Sequence, residues 1–167
     1  MAKPDEVILD FSQVRPFEPL SPKVRYLTRV TALDISKAAG GGPKSHCELT
    51  IEAPEEVQVE EWAADEEAEG GFKKGEGLVV DDKGSPVMTK SKGRKLFREF
   101  SLQPRALPFL YEFIKAVDPE AELDEKFRYN PKNYVGLQCV ATINNEAFGE
   151  QVRPRVRRLY PASAYKE

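Results

Sequence analysis

The fold is decided by residues 95–117, which read KLFREFSLQPRALPFLYEFIKAV. Apolar and more polar residues alternate over the first eight positions, which predicts a strand over residues 95–102. Apolar residues then recur at helical spacing, which predicts a helix that begins at Pro104 or Pro108 and ends at Val117. The expected buried stripe of this helix consists of Leu107, Leu110, Tyr111, Ile114 and Val117.

Four further stretches carry strand patterns, over residues 24–35, 45–52, 136–144 and 150–160. Their order with the strand–helix unit favours a mainly β fold: an oligonucleotide-binding (OB)-like five-stranded Greek-key β-barrel, with one α-helix between strands 3 and 4. A small α+β sandwich would give the same order. In the first two strands the side chains expected to share the inner face are Val24, Tyr26, Val30 and Ala32, and Cys47, Leu49 and Ile51.

Length and composition favour a single domain over residues 1–167, since 40% of the residues are hydrophobic and can form one core. Within it we expect a proline-rich N-terminal arm (1–23), an OB-like barrel (24–162) with a long acidic and glycine-rich excursion (54–93), and a short tail (163–167). The excursion is the least orderly part of the sequence. An excursion of this length within a compact domain is typical of a functional or mobile loop.

Several features indicate a cytoplasmic protein. No apolar run is long enough to span a bilayer, and the N-terminus lacks a basic region followed by an apolar stretch. Cys47 and Cys139 each lie in an alternating apolar run, which is typical of buried thiols in a reducing compartment. We therefore expect no membrane association and no disulfide.

The sequence contains no recognisable catalytic centre. His46 is the only histidine, so neither a zinc ligand set nor a histidine-dependent nucleophile is present. The run Gly42-Pro43-Lys44-Ser45 departs from the phosphate-loop pattern by its proline. We expect a protein that is not an enzyme and needs no cofactor.

Charge is distributed unevenly along the chain, whose net charge is −3. Residues 48–69 contain ten acidic residues and no Lys or Arg, so the rest of the chain is net basic. This distribution permits nucleic-acid binding. It also supports an alternative, in which the acidic stretch 55–69 is the partner surface of a protein-interaction or virion-accessory module. Trp62, Glu66 and Glu67 would then contact the partner.

Basic and aromatic residues suggest a binding surface for a single strand. Arg153, Arg155 and Arg157 alternate along the last predicted strand and are expected to share one face. A single strand needs cations along its phosphates and flat rings that stack on its bases. The candidate cations are Arg25, Arg29, Arg94, Lys95, Arg98, Arg153, Arg155 and Arg157, and the candidate stacking rings are Tyr129, Tyr134 and Phe148.

The second half of the chain also resembles a known family. The segments FSLQPRAL (100–107), FIKAV (113–117), VGL (135–137) and VRRLYPA (156–162) occur in the order found in a family of small phage-encoded single-stranded DNA-binding proteins. The likeness covers residues 95–162 well and residues 24–51 loosely. Val117-Asp118 stands where that family commonly has a glycine, and the acidic stretch 55–69 is foreign to its pattern.

The resemblance implies a non-catalytic protein that binds single-stranded DNA during phage DNA replication or recombination in the host cytoplasm. Binding to RNA and assembly into a homo-oligomer both stay open at this point. Replication or recombination proteins are the protein partners that this role implies.

Overall fold

The computed structural model describes residues 7–8, 18–38, 42–148 and 151–166, and most of the predicted arm (1–23) lies outside these ranges. Its strands are β1 (Tyr26–Ala38), β2 (Gly42–Ala53), β3 (Glu56–Gln58), β4 (Glu60–Ala64), β5 (Phe72–Leu78), β6 (Met88–Lys90), β7 (Lys95–Ser101), β8 (Gln138–Phe148) and β9 (Gln151–Pro161). The α-helix, α1, spans Leu107–Val117 and follows β7. The described part of the chain is therefore mainly β, as predicted.

The five predicted strands form one antiparallel sheet in the order β7-β2-β1-β8-β9. β1 lies at its centre and pairs along most of its length with β2, whereas only Tyr26–Arg29 pairs with β8. The two outer strands, β7 and β9, approach each other to within 8 Å between Cα atoms. The sheet is therefore strongly curved, because its outer strands come close together in space.

The core lies between the inner face of this sheet and α1. Cys47, Leu49 and Ile51 are at most 3% exposed, which confirms the predicted inner face of β2. The rings of Phe100 and Phe113, on β7 and α1, have centroids 5.1 Å apart. Burial of such large apolar side chains is the main favourable term in folding, so this contact fixes the helix on the sheet.

The predicted inner face of β1 is wrong at Ala32, which is exposed. The pairing of β1 with β2 shifts between Val30 and Ala32, so Thr31 is an extra residue in a β-bulge. A bulge reverses the alternation beyond it. Leu33 instead packs against the core.

The predicted stripe of α1 is wrong at two positions. Leu107 and Tyr111 are 43% and 52% exposed, whereas Phe113 and Ala116 are buried. The helix packs against β7, β8 and β9, and this contact rotates its buried face towards Phe113. Helical periodicity identifies an apolar stripe but not which edge of that stripe the sheet covers.

The excursion 54–93 is also more regular than predicted. β3 pairs with β6 and β4 pairs with β5, so part of this segment is built from two small antiparallel sheets. An isolated bridge between Leu20 and Val59 ties the segment to the chain before β1, and Leu20 is fully buried. The excursion therefore contains short paired strands as well as turns.

Candidate nucleic-acid interface

A groove of about 790 Å³ lies where the β4–β5 hairpin meets β7 and β9. It brings together three aromatic rings and two cationic side chains from distant parts of the sequence. Its lining residues are Pro19, Trp62, Phe72, Lys95, Phe97, Gln151, Val152, Arg153 and Pro154. We call this surface the aromatic groove.

The register of the paired strands determines on which face of its sheet each aromatic ring of the groove lies. In the β4–β5 ladder Trp62 lies opposite Lys74 and Ala64 lies opposite Phe72. Directly paired residues share a face of a sheet, so Trp62, Phe72 and Lys74 lie on one face of the hairpin. On β7, Phe97 is 66% exposed because its neighbours in the alternation take the inner face.

A buried carboxylate holds the indole of Trp62 in place. Glu60 is only 3% exposed, and its Oε1 accepts hydrogen bonds from Trp62 Nε1 (2.7 Å) and Asn145 Nδ2 (3.2 Å). Asn145 Nδ2 also lies 2.7 Å from the Leu20 carbonyl oxygen. Since Asn145 belongs to β8, these bonds tie the hairpin to the main sheet and set the orientation of the ring.

Three cations surround the rings. Arg153 donates from Nε and Nη2 to Gln151 Oε1 (3.1 and 2.9 Å). Lys95 Nζ lies 3.1 Å from Glu48 Oε1, and Lys74 Nζ lies 3.8 Å from Glu60 Oε2. Lys95 and Lys74 are more than half exposed. Their carboxylate partners are largely buried, with side chains 4% (Glu60) and 20% (Glu48) exposed, but the lysine side chains reach solvent, where phosphate groups can contact them.

Two predicted cations of β1 and the preceding turn lie elsewhere. Arg25 stacks over the Tyr160 ring at 4.9 Å and lines a separate cavity. Arg29 donates to Glu52 Oε2 (2.9 Å) and to the Gly136 carbonyl oxygen (2.6 Å). These contacts hold the Arg29 side chain against the protein. Neither Arg25 nor Arg29 lines the aromatic groove.

Arg94 and Arg98 are half-buried, and burial lowers the pKa of both guanidinium groups. Arg94 Nη1 donates to the Glu18 carbonyl oxygen (2.8 Å). Arg98 points to the inner side of β7 and stacks over Phe100 (5.2 Å) and Phe109 (5.8 Å). Both side chains therefore support packing in this structure.

The arginines of β9 are all exposed, and the intervening Val152 and Val156 are buried. Arg155 Nη1 lies 3.1 Å from Glu146 Oε1. Arg157 is the extra residue of a bulge, because Thr142 pairs with Arg158 while Ile143 pairs with Val156. Of these arginines, Arg153 lines the groove and Arg155 and Arg157 continue the basic strand away from it.

The predicted stacking tyrosines offer little free ring surface. Tyr134 is 5% exposed, and its ring packs against Phe113 and Tyr129. Tyr129 is half-buried, its hydroxyl lies 2.7 Å from Ser45 Oγ, and burial raises its pKa to about 12. The side chain of Phe148 lies outside the described residues. We therefore place no base on Tyr129 or Tyr134.

The residues of the acidic stretch 55–69 that were expected to contact a partner lie in two different environments. Trp62 is half-buried and faces the groove, whereas Glu66 and Glu67 are exposed on the turn between β4 and β5. Asp65 Oδ1 accepts a hydrogen bond from the Glu67 backbone N–H (3.0 Å), which stabilises this turn. Trp62 thus belongs with Phe72 and Phe97 rather than with the two carboxylates, and the role of those carboxylates in protein binding stays a prediction.

Neither cysteine has the lowered pKa of a reactive thiol. Burial raises the pKa of Cys47 to about 12 and that of Cys139 to about 11, which keeps both thiols protonated. Within the described ranges no three His, Cys, Asp or Glu side chains are grouped so that they could hold a metal ion. Nor does any helix in those ranges have the length and apolar character that crossing a bilayer requires.

From the sequence, Phe97 ranks below the loop aromatics as a stacking ring and Phe72 is not a candidate, because most strand aromatics are buried. A signal for Phe97 was nevertheless present. It alternates with Leu96 and Phe100 and shares its face with Lys95 and Glu99, which are charged. An aromatic residue on the charged face of a strand is exposed by the period of two.

No family model and no curated protein matches this sequence. Function therefore has to be inferred from the aromatic groove and the strands that form it.

Proposed function

We propose that this protein binds single-stranded nucleic acid in the aromatic groove, with DNA as the expected ligand and without catalysing a reaction. One observation carries the proposal: Trp62, Phe72 and Phe97 line the same groove as Lys95 and Arg153. Proteins that hold single strands combine stacking rings with cations that follow the phosphates. Both components are present here within one surface.

The ligand should be a single strand because its bases are free to stack on protein rings. The bases of a duplex already stack on one another, so rings in a groove gain little from it. Three rings can accept roughly two or three bases, each stack contributing about 1–3 kcal/mol. The rings carry no arrangement of donors and acceptors that reads a base edge, so we expect weak sequence preference.

The strand order supports an OB-like barrel as the scaffold. Counted in chain order, the five strands of the main sheet run third, second, first, fourth, fifth. Closure of this sheet would place the third strand, β7, beside the fifth, β9, and these two strands do approach each other. OB-like barrels bind oligonucleotides on the face of their second and third strands. Lys95 and Phe97 project from the third.

Local charge matters more for this proposal than the overall charge of −3. The acidic turn that carries Glu66 and Glu67 belongs to the same hairpin as Trp62 and should lower the affinity. Lys74, Lys95 and Arg153 supply about three phosphate contacts. Release of counterions from a single strand then gives a slope of about −2 for log K against log salt concentration.

The decisive experiment is a titration of fluorescein-labelled oligo-dT with the protein, followed by anisotropy at low and moderate salt. Trp62 is the only tryptophan, so quenching of its fluorescence reports on the groove itself. We expect anisotropy and quenching to saturate together, and a duplex of equal length to bind more weakly. Absence of binding at low salt, or binding without any change at Trp62, would overturn the proposal.

A role in phage DNA replication or recombination follows only from the family resemblance and is part of the proposal. Titration with oligo-rU in place of oligo-dT would decide between DNA and RNA as the preferred ligand.

A further inference from the structure

A second concave surface lies beside α1 and shares no lining residue with the aromatic groove. It has a volume of about 520 Å³ and is predominantly apolar. The floor is formed by the buried Leu110 and Ile114. Its rim is formed by Ile35, Leu102, Leu107, Tyr111, Leu123 and Phe127. We call it the helix cleft.

Three apolar side chains on the rim of the helix cleft are exposed to solvent. Ile35, Leu107 and Tyr111 are 46%, 43% and 52% exposed. Leu107 and Tyr111 are four residues apart, so they lie on the same side of α1, one turn from each other. Single exposed apolar residues are ordinary, but a contiguous patch around a cleft marks a binding surface.

An acidic segment of the chain reaches the cleft at Asp124, and the basic residues Lys126 and Arg128 follow it in the sequence. Residues 118–125 contain five carboxylates and no Lys or Arg, and none of the five forms a salt bridge within the described ranges. Lys115 Nζ donates to the carbonyl oxygens of Pro119 (3.3 Å) and Ala121 (2.7 Å), which holds this acidic segment against the helix.

We propose that the helix cleft binds a basic amphipathic segment of a partner protein. Apolar side chains of that segment would replace water on Leu107, Tyr111 and Ile35, and its Lys or Arg residues would pair with the carboxylates of residues 118–125. Charge complementarity distinguishes such a segment from two other possible ligands, nucleic acid and a second copy of the chain. Nucleic acid would be repelled by this acidic segment, and a second copy of the chain would bring the same acidic segment against it.

The N-terminal segment of the chain fits poorly for the same reason. Its apolar residues Val7 and Ile8 are exposed, and their sequence neighbours include Asp5, Glu6 and Asp10. A ligand for this cleft needs positive charge beside its apolar residues, whereas residues 1–17 contain three carboxylates and only two basic residues, Lys3 and Arg15. We therefore assign the complementary segment to another protein.

The test uses a fluorescein-labelled helical peptide with Leu on one face and Lys on the other, titrated with the full-length protein at physiological ionic strength. A peptide with Glu in place of Lys is the charge control. We expect the Leu/Lys peptide to bind and the Leu/Glu peptide not to bind. Binding should weaken at least about five-fold for Leu107→Ala/Tyr111→Ala and for Glu122→Gln/Asp124→Asn.

Phe109→Ala is the matched control variant, because Phe109 is 55% exposed on the same helix and does not line the cleft. Circular dichroism melts would show that each variant is folded. Equal binding to the Leu107→Ala/Tyr111→Ala protein would place the peptide elsewhere and overturn the proposal. Self-association that depends on Tyr111, seen by sedimentation, would overturn it too, because a second copy would then fill the cleft.

Discussion

The indole nitrogen of Trp62 donates a 2.7 Å hydrogen bond to the carboxylate of Glu60, which is almost completely buried. The same carboxylate is bonded by Asn145 on β8, so one acidic side chain joins the orientation of the ring to the position of the hairpin. Glu60 therefore links the proposed binding surface to the main sheet.

Replacement of Glu60 by Ala should therefore destabilise the protein. Trp62 Nε1 and Asn145 Nδ2 both lose an acceptor, and unsatisfied buried donors cost about 1–3 kcal/mol. Urea denaturation followed by Trp62 fluorescence measures the free energy of unfolding. Glu61→Ala is the matched control, since Glu61 is exposed on the same strand, and an equal loss in both variants would contradict this role of Glu60.

Removal of one stacking ring should weaken binding of oligo-dT without affecting stability. Phe97→Ala removes an exposed ring from the groove, and the loss of about 1–3 kcal/mol of stacking corresponds to roughly 5- to 150-fold in Kd. Phe109→Ala removes an exposed ring outside the groove and should leave Kd unchanged. Titration of both variants at one salt concentration makes the comparison, and similar Kd values would argue against stacking on Phe97.

Salt dependence should report on Arg153. Arg153→Gln removes one phosphate contact, so the slope of log K against log salt concentration should become less negative by about 0.7. The control is Arg128→Gln, since Arg128 is exposed and lies outside the groove. Titrations at four salt concentrations give each slope. If Arg128→Gln changed the slope as much as Arg153→Gln, the cations would act through general charge rather than through the groove.

Stability should fall in mild acid, in part through Glu52. Hydrogen bonds from Arg29 and Gln138 hold the pKa of the Glu52 carboxyl below its ordinary value. The unfolded chain then binds more protons than the folded protein as the pH drops. The contribution of Glu52 is therefore complete above the unfolded-state pKa, and it is lost below about pH 5 as the pH falls through the folded-state pKa.

Urea denaturation at a series of pH values would measure this loss. Glu52→Gln should flatten the decrease in unfolding free energy with falling pH relative to the original protein. An unchanged pH profile for Glu52→Gln would show that the bonds of Glu52 to Arg29 and Gln138 contribute nothing to folding.

Alternation was sufficient to predict β2 and its buried face, Cys47, Leu49 and Ile51, and to predict β7, which carries the buried Leu96 and Phe100. The helix was predictable in the same way. Predictions failed where a local irregularity intervened: the bulge at Thr31 exposed Ala32, and rotation of α1 exposed Tyr111. Neither the bulge nor the rotation of the helix can be recognised from the pattern of hydrophobic residues in the sequence.

The candidate site was less predictable than the fold. Of the candidate cations and rings, Arg153 and Lys95 line the aromatic groove, whereas Arg29 is bonded to Glu52 and Tyr134 is packed in the core. The role of Arg153 and Lys95 in binding stays a prediction. The identity of a side chain states what it can bind. The identity alone does not show which neighbouring residue in the fold takes up the hydrogen bonds and contacts that the side chain can make.

The sequence by itself determined the five strands of the main sheet, the helix and the inner face of β2, because a period of two or 3.6 residues is a local property of the backbone. Only the tertiary structure decided that Trp62, Phe72 and Phe97 meet between Lys95 and Arg153. Their meeting depends on strand order, register and the buried bonds of Glu60, which arise from contacts between residues far apart in the chain.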